Sequence, residues 1–259
     1  MAVTEVMTRL EKQEEMSDEL SVIILLEKNI GELMKPYDIY IWGKKMWEWV
    51  ALSCDGFFLK TIPCTPESDI LNLVKPLLSN TKYTLVLYSD TPLFRRKTLT
   101  EIMTYVKQRD LNVLCLERGY LFNTEYIKNA ESICALPSTE FGEDDFLRVQ
   151  NNRDLTRVMA VLRNRILSFH IQNGIQIIEP NACFIDADVI IEKGTVIEPN
   201  TYLKGASFIG KNCKIEFGSV IENSIISDGC VIKNSYISES RISENTVVGP
   251  LESVIAKSS

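Results

Sequence analysis

The chain has 259 residues, 45% of them hydrophobic and 24% charged, with 28 basic against 35 acidic side chains and a formal net charge of -7. That length suits one large domain or two modest ones, and the composition excludes collagen-like, disordered and disulfide-scaffold classes. The acidic surplus repels polyanions, so no nucleic-acid partner is expected, and a single histidine, His170, excludes multi-histidine metal centres.

Residues 1–20 form a charged N-terminal extension with Val3, Met7 and Leu10 at helical spacing. It reads as a solvated helix or frayed tail, with a partner-docking helix as the alternative. Its Glu, Lys and Asp residues leave no apolar h-region, and later apolar runs such as Val22 to Leu26 are only strand-length, so neither a secretory signal nor a membrane span is expected. Seven cysteines scattered along the chain without a Cys-x-x-Cys pair predict small apolar fillers in a reducing compartment, hence a cytoplasmic protein.

Residues 21–150 alternate strand-like and helix-like stretches. Val22 to Leu26, Gly56 to Leu59, Tyr83 to Tyr88 and Val113 to Leu116 are apolar runs of the kind buried in a parallel sheet. Lys44 to Cys54 places Met46, Trp49 and Val50 on one helical face. Thr65-Pro66-Glu67 predicts a helix start with proline at the first position, and Lys97 to Gln108 predicts a third helix. The alternation predicts a doubly wound sheet that takes ligands at the C-terminal ends of its strands. Residues 151–174 read as a linker helix, with Leu155, Val158, Met159, Leu162, Ile166 and Phe169 at helical spacing and Asn173-Gly174 as its stop. His170 lies in its last turn and reads as structural or solvated rather than catalytic.

Residues 175–259 change character. An aliphatic residue recurs at Ile185, Ile191, Ile197, Leu203, Ile209, Ile215 and Ile221, then at steps of five or six through Ile226, Ile232, Ile237, Ile242 and Val248. Small residues follow four positions later at Thr195, Thr201, Ser207, Cys213 and Ser219. This is a hexapeptide pattern: each unit makes one face of a triangular prism, the aliphatic residue fills the axis, and three units make a coil. From Ile178 to Val248 it predicts about four coils. Such a prism leaves a flat side that threefold self-association would cover, by fold analogy.

Ile185-Asp-Ala-Asp-Val189, Gly194 to Leu203 and Asp228 to Ser235 resemble the start of the left-handed β-helix in the bifunctional N-acetylglucosamine-1-phosphate uridyltransferase/glucosamine-1-phosphate acetyltransferase family. Upstream, Leu87-Tyr-Ser-Asp-Thr-Pro-Leu93 is similar to that family's Tyr-Gly-Asp-Val-Pro-Leu strand end, and Val149-Gln-Asn-Asn-Arg-Asp-Leu155 to its Val-Asn-Asn-Arg segment. Val22 to Leu25 and Gly43 to Val50 resemble its opening strand and first helix. The resemblance implies a reduced doubly wound nucleotide-diphospho-sugar transferase-like domain followed by the β-helix. It also implies a homotrimer, a nucleotide sugar such as UDP-N-acetylglucosamine as ligand, and Mg²⁺ as cofactor.

It places nucleotide-contacting residues at Gly31 and Tyr88 and the metal-holding pair at Asp90 and Asn151. For that pair a structural role stays open: an Asp after a buried strand caps the turn, and Asn151 caps the long helix. The departures are as specific. The family's Gly-x-Gly-Thr-Arg-Met phosphate loop corresponds to Leu26 to Met34, where Gly31 alone is kept, the arginine is missing and Glu27 and Glu32 bring negative charge. Its Gly-Thr-Ala-His-Ala motif corresponds to Cys64-Thr-Pro-Glu-Ser68, without the histidine, and most of the sugar-binding lobe has no counterpart. The acetyltransferase site needs a catalytic histidine further along the β-helix, and none follows His170 in this sequence. Two functions follow as expectations: a non-catalytic trimeric scaffold or regulatory subunit, or an active Mg²⁺-dependent nucleotidyltransferase forming or binding a UDP-sugar.

Overall fold

The computed structural model describes residues 19–30, 33–133, 139–142 and 144–256. The expected N-terminal extension, apart from its last two residues, lies outside the described residues, as does Gly31. The chain divides into two compact units, Met1–Tyr40 with Lys45–Val158, and Ile41–Lys44 with Met159–Ser259. The helix read as a linker is therefore shared between them.

The first unit is built on five strands: β1 (Leu20–Glu27), β2 (Phe58–Cys64), β3 (Tyr83–Tyr88), β4 (Val113–Leu116) and β5 (Gly119–Asn123), in sheet order β2-β1-β3-β5-β4. β1 pairs in parallel with β2 and β3, so it is covered on both faces and flanked on both edges. That is why its sequence is apolar from Val22 to Leu26, between Ser21 and Glu27. Alternate residues face opposite ways. Val22 and Ile24 pack with Val50 of α1 (Met46–Leu52) and with Leu99, Ile102 and Val106 of α3 (Arg96–Arg109). Ile23 and Leu25 pack with Leu71 and Val74 of α2 (Ile70–Val74) and Ile127 of α4 (Thr124–Asn129). Helices on both faces make the unit doubly wound.

Three sequence expectations change here. The fourth predicted strand is joined by β5, which runs antiparallel between β3 and β4, so the sheet is mixed. β2 is an edge strand and mostly exposed or half-buried, which tolerates Lys60 and Pro63. The helix after Cys64 starts at Ile70 rather than at Thr65-Pro66. The Thr65 N–H is taken by Ser68 Oγ at 2.9 Å, closing a turn, while Asp69 caps α2 by accepting from the Leu71 N–H at 2.9 Å.

The second unit is a parallel β-helix. Three parallel sheets line it, and on one of them Ile177, Ile197, Ile215, Ile232 and Val248 stack rung over rung, spanning four coils. Every predicted axial residue from Ile185 to Val248 is buried, as are the corner residues Thr195, Thr201, Ser207, Cys213 and Ser219. At the start of the prism the frame differs by one residue from expectation: Ile177 points inward and Ile178 is exposed, because a short 3₁₀ turn at Pro180–Ala182 lengthens the first coil. Asn200, Asn212, Asn223, Asn234 and Asn245 all adopt left-handed backbone at coil corners, a conformation Asn tolerates. The Asn223 Oδ1 then accepts from the Ala206 N–H of the preceding coil at 3.2 Å.

The last helix, α5 (Asn152–Gln172), buries Val158, Leu162, Ile166 and His170 at steps of four, whereas Phe169, read as part of the apolar stripe, is exposed. Burial holds the His170 imidazole below the ordinary histidine pKa. The six described cysteines carry no disulfide, and among the described residues no helix is long and apolar enough to cross a membrane.

Candidate functional site

In an open α/β sheet, ligands bind beyond the carboxyl ends of the strands where the winding reverses. Here that point is β1, whose neighbours β2 and β3 lie on opposite sides. β1 ends at Glu27, β2 at Cys64 and β3 at Tyr88, and Glu27 lies opposite Cys64 in the register. Two residues past β3 stands Asp90, fully buried, with its carbonyl accepting from the Val149 N–H at 2.9 Å.

The space above these ends is filled from within the chain. Arg118, in the turn between β4 and β5, donates from Nε to both carboxylate oxygens of Asp90 at 3.2 Å, while one terminal nitrogen lies 3.1 Å from Asp90 Oδ2 and also donates to Glu27 Oε2. Its guanidinium lies 3.5 Å from the centre of the Tyr88 ring. Arg148 adds a further donor to Asp90 Oδ2 at 3.0 Å. Gly119 makes this placement feasible: at φ +138° it starts β5 so close to β3 that a Cβ would run into the Val86 carbonyl.

The electrostatics follow from burial. Loss of water raises the Glu27 pKa, and Arg118 only partly offsets it. Burial also pushes the Tyr88 hydroxyl up to about 12 and the Cys64 thiol up to about 11, so neither ionises near neutral pH. Burial opposes the Arg118 charge as well, but Asp90 and Glu27 outweigh it and hold the guanidinium protonated more firmly than in a free arginine.

Three of the four expected site residues, Tyr88, Asp90 and Asn151, have a definite place. Tyr88 and Asp90 lie together at the β3 end. Asn151 is not shown joined to Asp90; its Oδ1 accepts from the Arg153 and Asp154 N–H groups at 2.9 and 3.1 Å, capping α5. Gly31 lies outside the described residues, but the chain flanking it is informative. After β1 it forms a two-stranded antiparallel pair, Asn29–Ile30 with Leu33–Met34, then a 3₁₀ turn at Pro36–Asp38. Among the described residues, no helix N-terminus follows β1 directly; the chain continues as the strand pair and the 3₁₀ turn.

Nor does the donor set fit Mg²⁺. Both Asp90 oxygens are engaged by guanidinium groups carrying two positive charges, and the Asn151 oxygen is committed to two backbone amides. An octahedral ion requires oxygens free at about 2.0–2.1 Å. Among the described residues no group of three or more His, Cys, Asp or Glu side chains converges to hold a metal. Sequence reasoning missed Arg118 and Arg148. The available signal was Glu27 itself, since an acid ending a buried apolar strand demands a cation.

A doubly wound α/β unit followed by a hexapeptide-type parallel β-helix defines the class of this protein. Within that class, the chain is related in sequence to the proteins described as Bifunctional protein GlmU. It is 37% identical to that of Clostridium kluyveri over 120 residues, 44% of this chain and 26% of the relative. It is 29% identical to that of Clostridioides difficile over 194 residues (74% and 41%), and 35% identical to that of Clostridium botulinum over 137 residues (52% and 30%). The chain thus matches between about a quarter and two-fifths of the length of these relatives. No family model matches it. Among solved structures, a CMP:2-keto-3-deoxy-manno-octonic acid synthetase complexed with CTP superposes over 57% of this chain and 99% of its own at a TM-score of 0.44 and 12% identity, a likeness too loose to carry an argument.

Proposed function

We propose that this chain is a nucleotidyltransferase-related cytoplasmic protein that trimerises through its β-helix and acts as a scaffold or regulatory subunit, without full uridyl transfer and without acetyl transfer. The observation that carries this reading is the state of the strand ends. Nucleotidyl transfer is catalysed mainly by positive charge and amide donors arranged around phosphate. Here two cations at the strand ends, Arg118 and Arg148, are spent on Glu27 and Asp90. Losing even one such donor from a site costs ~2.7–4 kcal/mol of transition-state stabilisation. Asp90 and Asn151, on this reading, are kept for packing: one is the counter-ion of two arginines, the other a helix cap. Acetyl transfer has no support either, because the single histidine is buried on α5 with its pKa lowered.

The trimer reading is supported by one face of the prism. Register aligns Ile190, Phe208 and Ile225 in an outward stripe, with Ile190 58% and Ile225 39% exposed. Aligned apolar side chains of this kind mark an interaction surface.

The decisive assay mixes the protein with UTP, N-acetylglucosamine 1-phosphate and Mg²⁺ and follows pyrophosphate release. The scaffold reading expects none. Turnover abolished by Asp90→Ala would instead establish an active Mg²⁺-dependent nucleotidyltransferase, and a thermal shift with UDP-N-acetylglucosamine but no turnover would establish a nucleotide-sugar-binding subunit. Light scattering tests the assembly: a trimer is expected, and Ile225→Asp should reduce it to monomer without unfolding the β-helix.

A further inference from the structure

Two carboxylates, Glu27 and Asp90, close the ends of adjacent strands and are 5% and 0% exposed. Like charges out of water destabilise each other, so a buried acidic pair of this kind is relieved either by holding a proton or by taking up a cation. We infer that Arg118 is that cation, built into the chain: its guanidinium occupies the position between Glu27 and Asp90 that a divalent ion would take, so the unit is complete without metal and gains a metal site only when Arg118 is removed. This stands whether or not the protein turns over a nucleotide.

Three independent features support it. The charges balance locally, two acids against Arg118 and Arg148, leaving no net attraction for a further cation. The guanidinium is bound in a fixed orientation, its edge donating to both carboxylates and its face 3.5 Å from the Tyr88 ring centre. The backbone delivering it is also fixed, since Gly119 brings the β4–β5 turn against the Val86 carbonyl where no other residue type fits. An arginine that merely wandered over a surface acid would show none of these.

The full-length protein, titrated with Mn²⁺ and followed by the electron paramagnetic resonance of the free ion, tests the inference. Wild type should leave Mn²⁺ free. Arg118→Met should bind about one equivalent, at least about tenfold tighter, because an acidic pair is uncovered. Arg118→Lys should stay close to wild type, and Arg118→Met combined with Asp90→Asn should lose the gained site. A wild-type protein that binds one Mn²⁺ abolished by Asp90→Asn would overturn the inference, as would a natively folded Arg118→Met protein that binds none. Should Arg118→Met fail to fold, thermal melting of wild type decides. An unchanged midpoint on adding millimolar Mg²⁺ supports a resident cation, and a rise of several degrees that Asp90→Asn removes refutes it.

Discussion

Asp90→Asn is the substitution whose sign separates the two meanings of this cluster. Were Asp90 an empty metal ligand, removing its charge would relieve repulsion with Glu27 and leave the metal-free protein as stable or more so. In the structure it is instead a fully buried counter-ion to Arg118 and Arg148, whose side chains are 16% and 36% exposed. Breaking a buried pair by removing one partner costs roughly 3–5 kcal/mol. Arg148 can turn to water and Arg118 keeps Glu27, so the lower end applies, about 3 kcal/mol. For a unit of this size that lowers the midpoint by on the order of 10 °C. Urea and thermal melts in EDTA, monitored by near-ultraviolet dichroism from the first unit's aromatic residues, measure it. A variant that melts within a degree of wild type, or above it, would refute the counter-ion reasoning.

Other outcomes are expected elsewhere. Ile215→Ala, at a fully buried axial position in the middle of the prism, should cost ~2–5 kcal/mol through transfer and cavity terms, read as a lower urea midpoint for the second unit. Asn151→Ala should cost ~0.5–2 kcal/mol by orphaning two amides, and Asn151→Asp should restore it, since a carboxylate suits a helix start; the pair of urea melts checks this. The folded pKa of His170 lies below its unfolded value. Its contribution is therefore intact above about pH 6.5 and is lost as pH falls from there toward the folded pKa, by up to ~1.4 kcal/mol per unit. Melting points between pH 7 and 5 should fall less steeply in His170→Leu than in wild type.

The β-helix was legible because each axial residue is dictated by its own position in a short repeat: Ile197, Leu203 and Ile209 are inward for the same local reason. The single-residue offset at Ile177 and Ile178 was not, because it depends on a 3₁₀ turn that interrupts the period. In the sheet, β1 and β3 announced themselves by apolar runs that only a doubly covered position needs. The antiparallel β5 was hidden, since Gly119 to Asn123 carries a tyrosine and an asparagine and its place between β3 and β4 is a matter of pairing, not propensity. The acids of the site were visible one at a time. Their partner was not: Arg118 lies 91 residues from Glu27 and 28 from Asp90, and no periodicity connects positions that only the sheet order brings together.

The exit of β1 and the placement of Arg118 are physically coupled. A phosphate-binding strand end presents bare amides and attracts anions; this one ends in Glu27 and leads into an antiparallel strand pair, so without a partner cation it would carry negative charge. With Asp90 buried beside it, that end would be destabilised by on the order of a few kcal/mol unless a cation entered. Arg118 supplies the charge at no cost in association entropy, because the β4–β5 turn already holds it there. Replacing Glu27 by glycine would leave Arg118 and Arg148 facing Asp90 alone, and replacing Arg118 would leave Glu27 without its cation and Asp90 with Arg148 alone. The strand end is thus stabilised by its own chain, through Arg118 bridging Glu27 and Asp90.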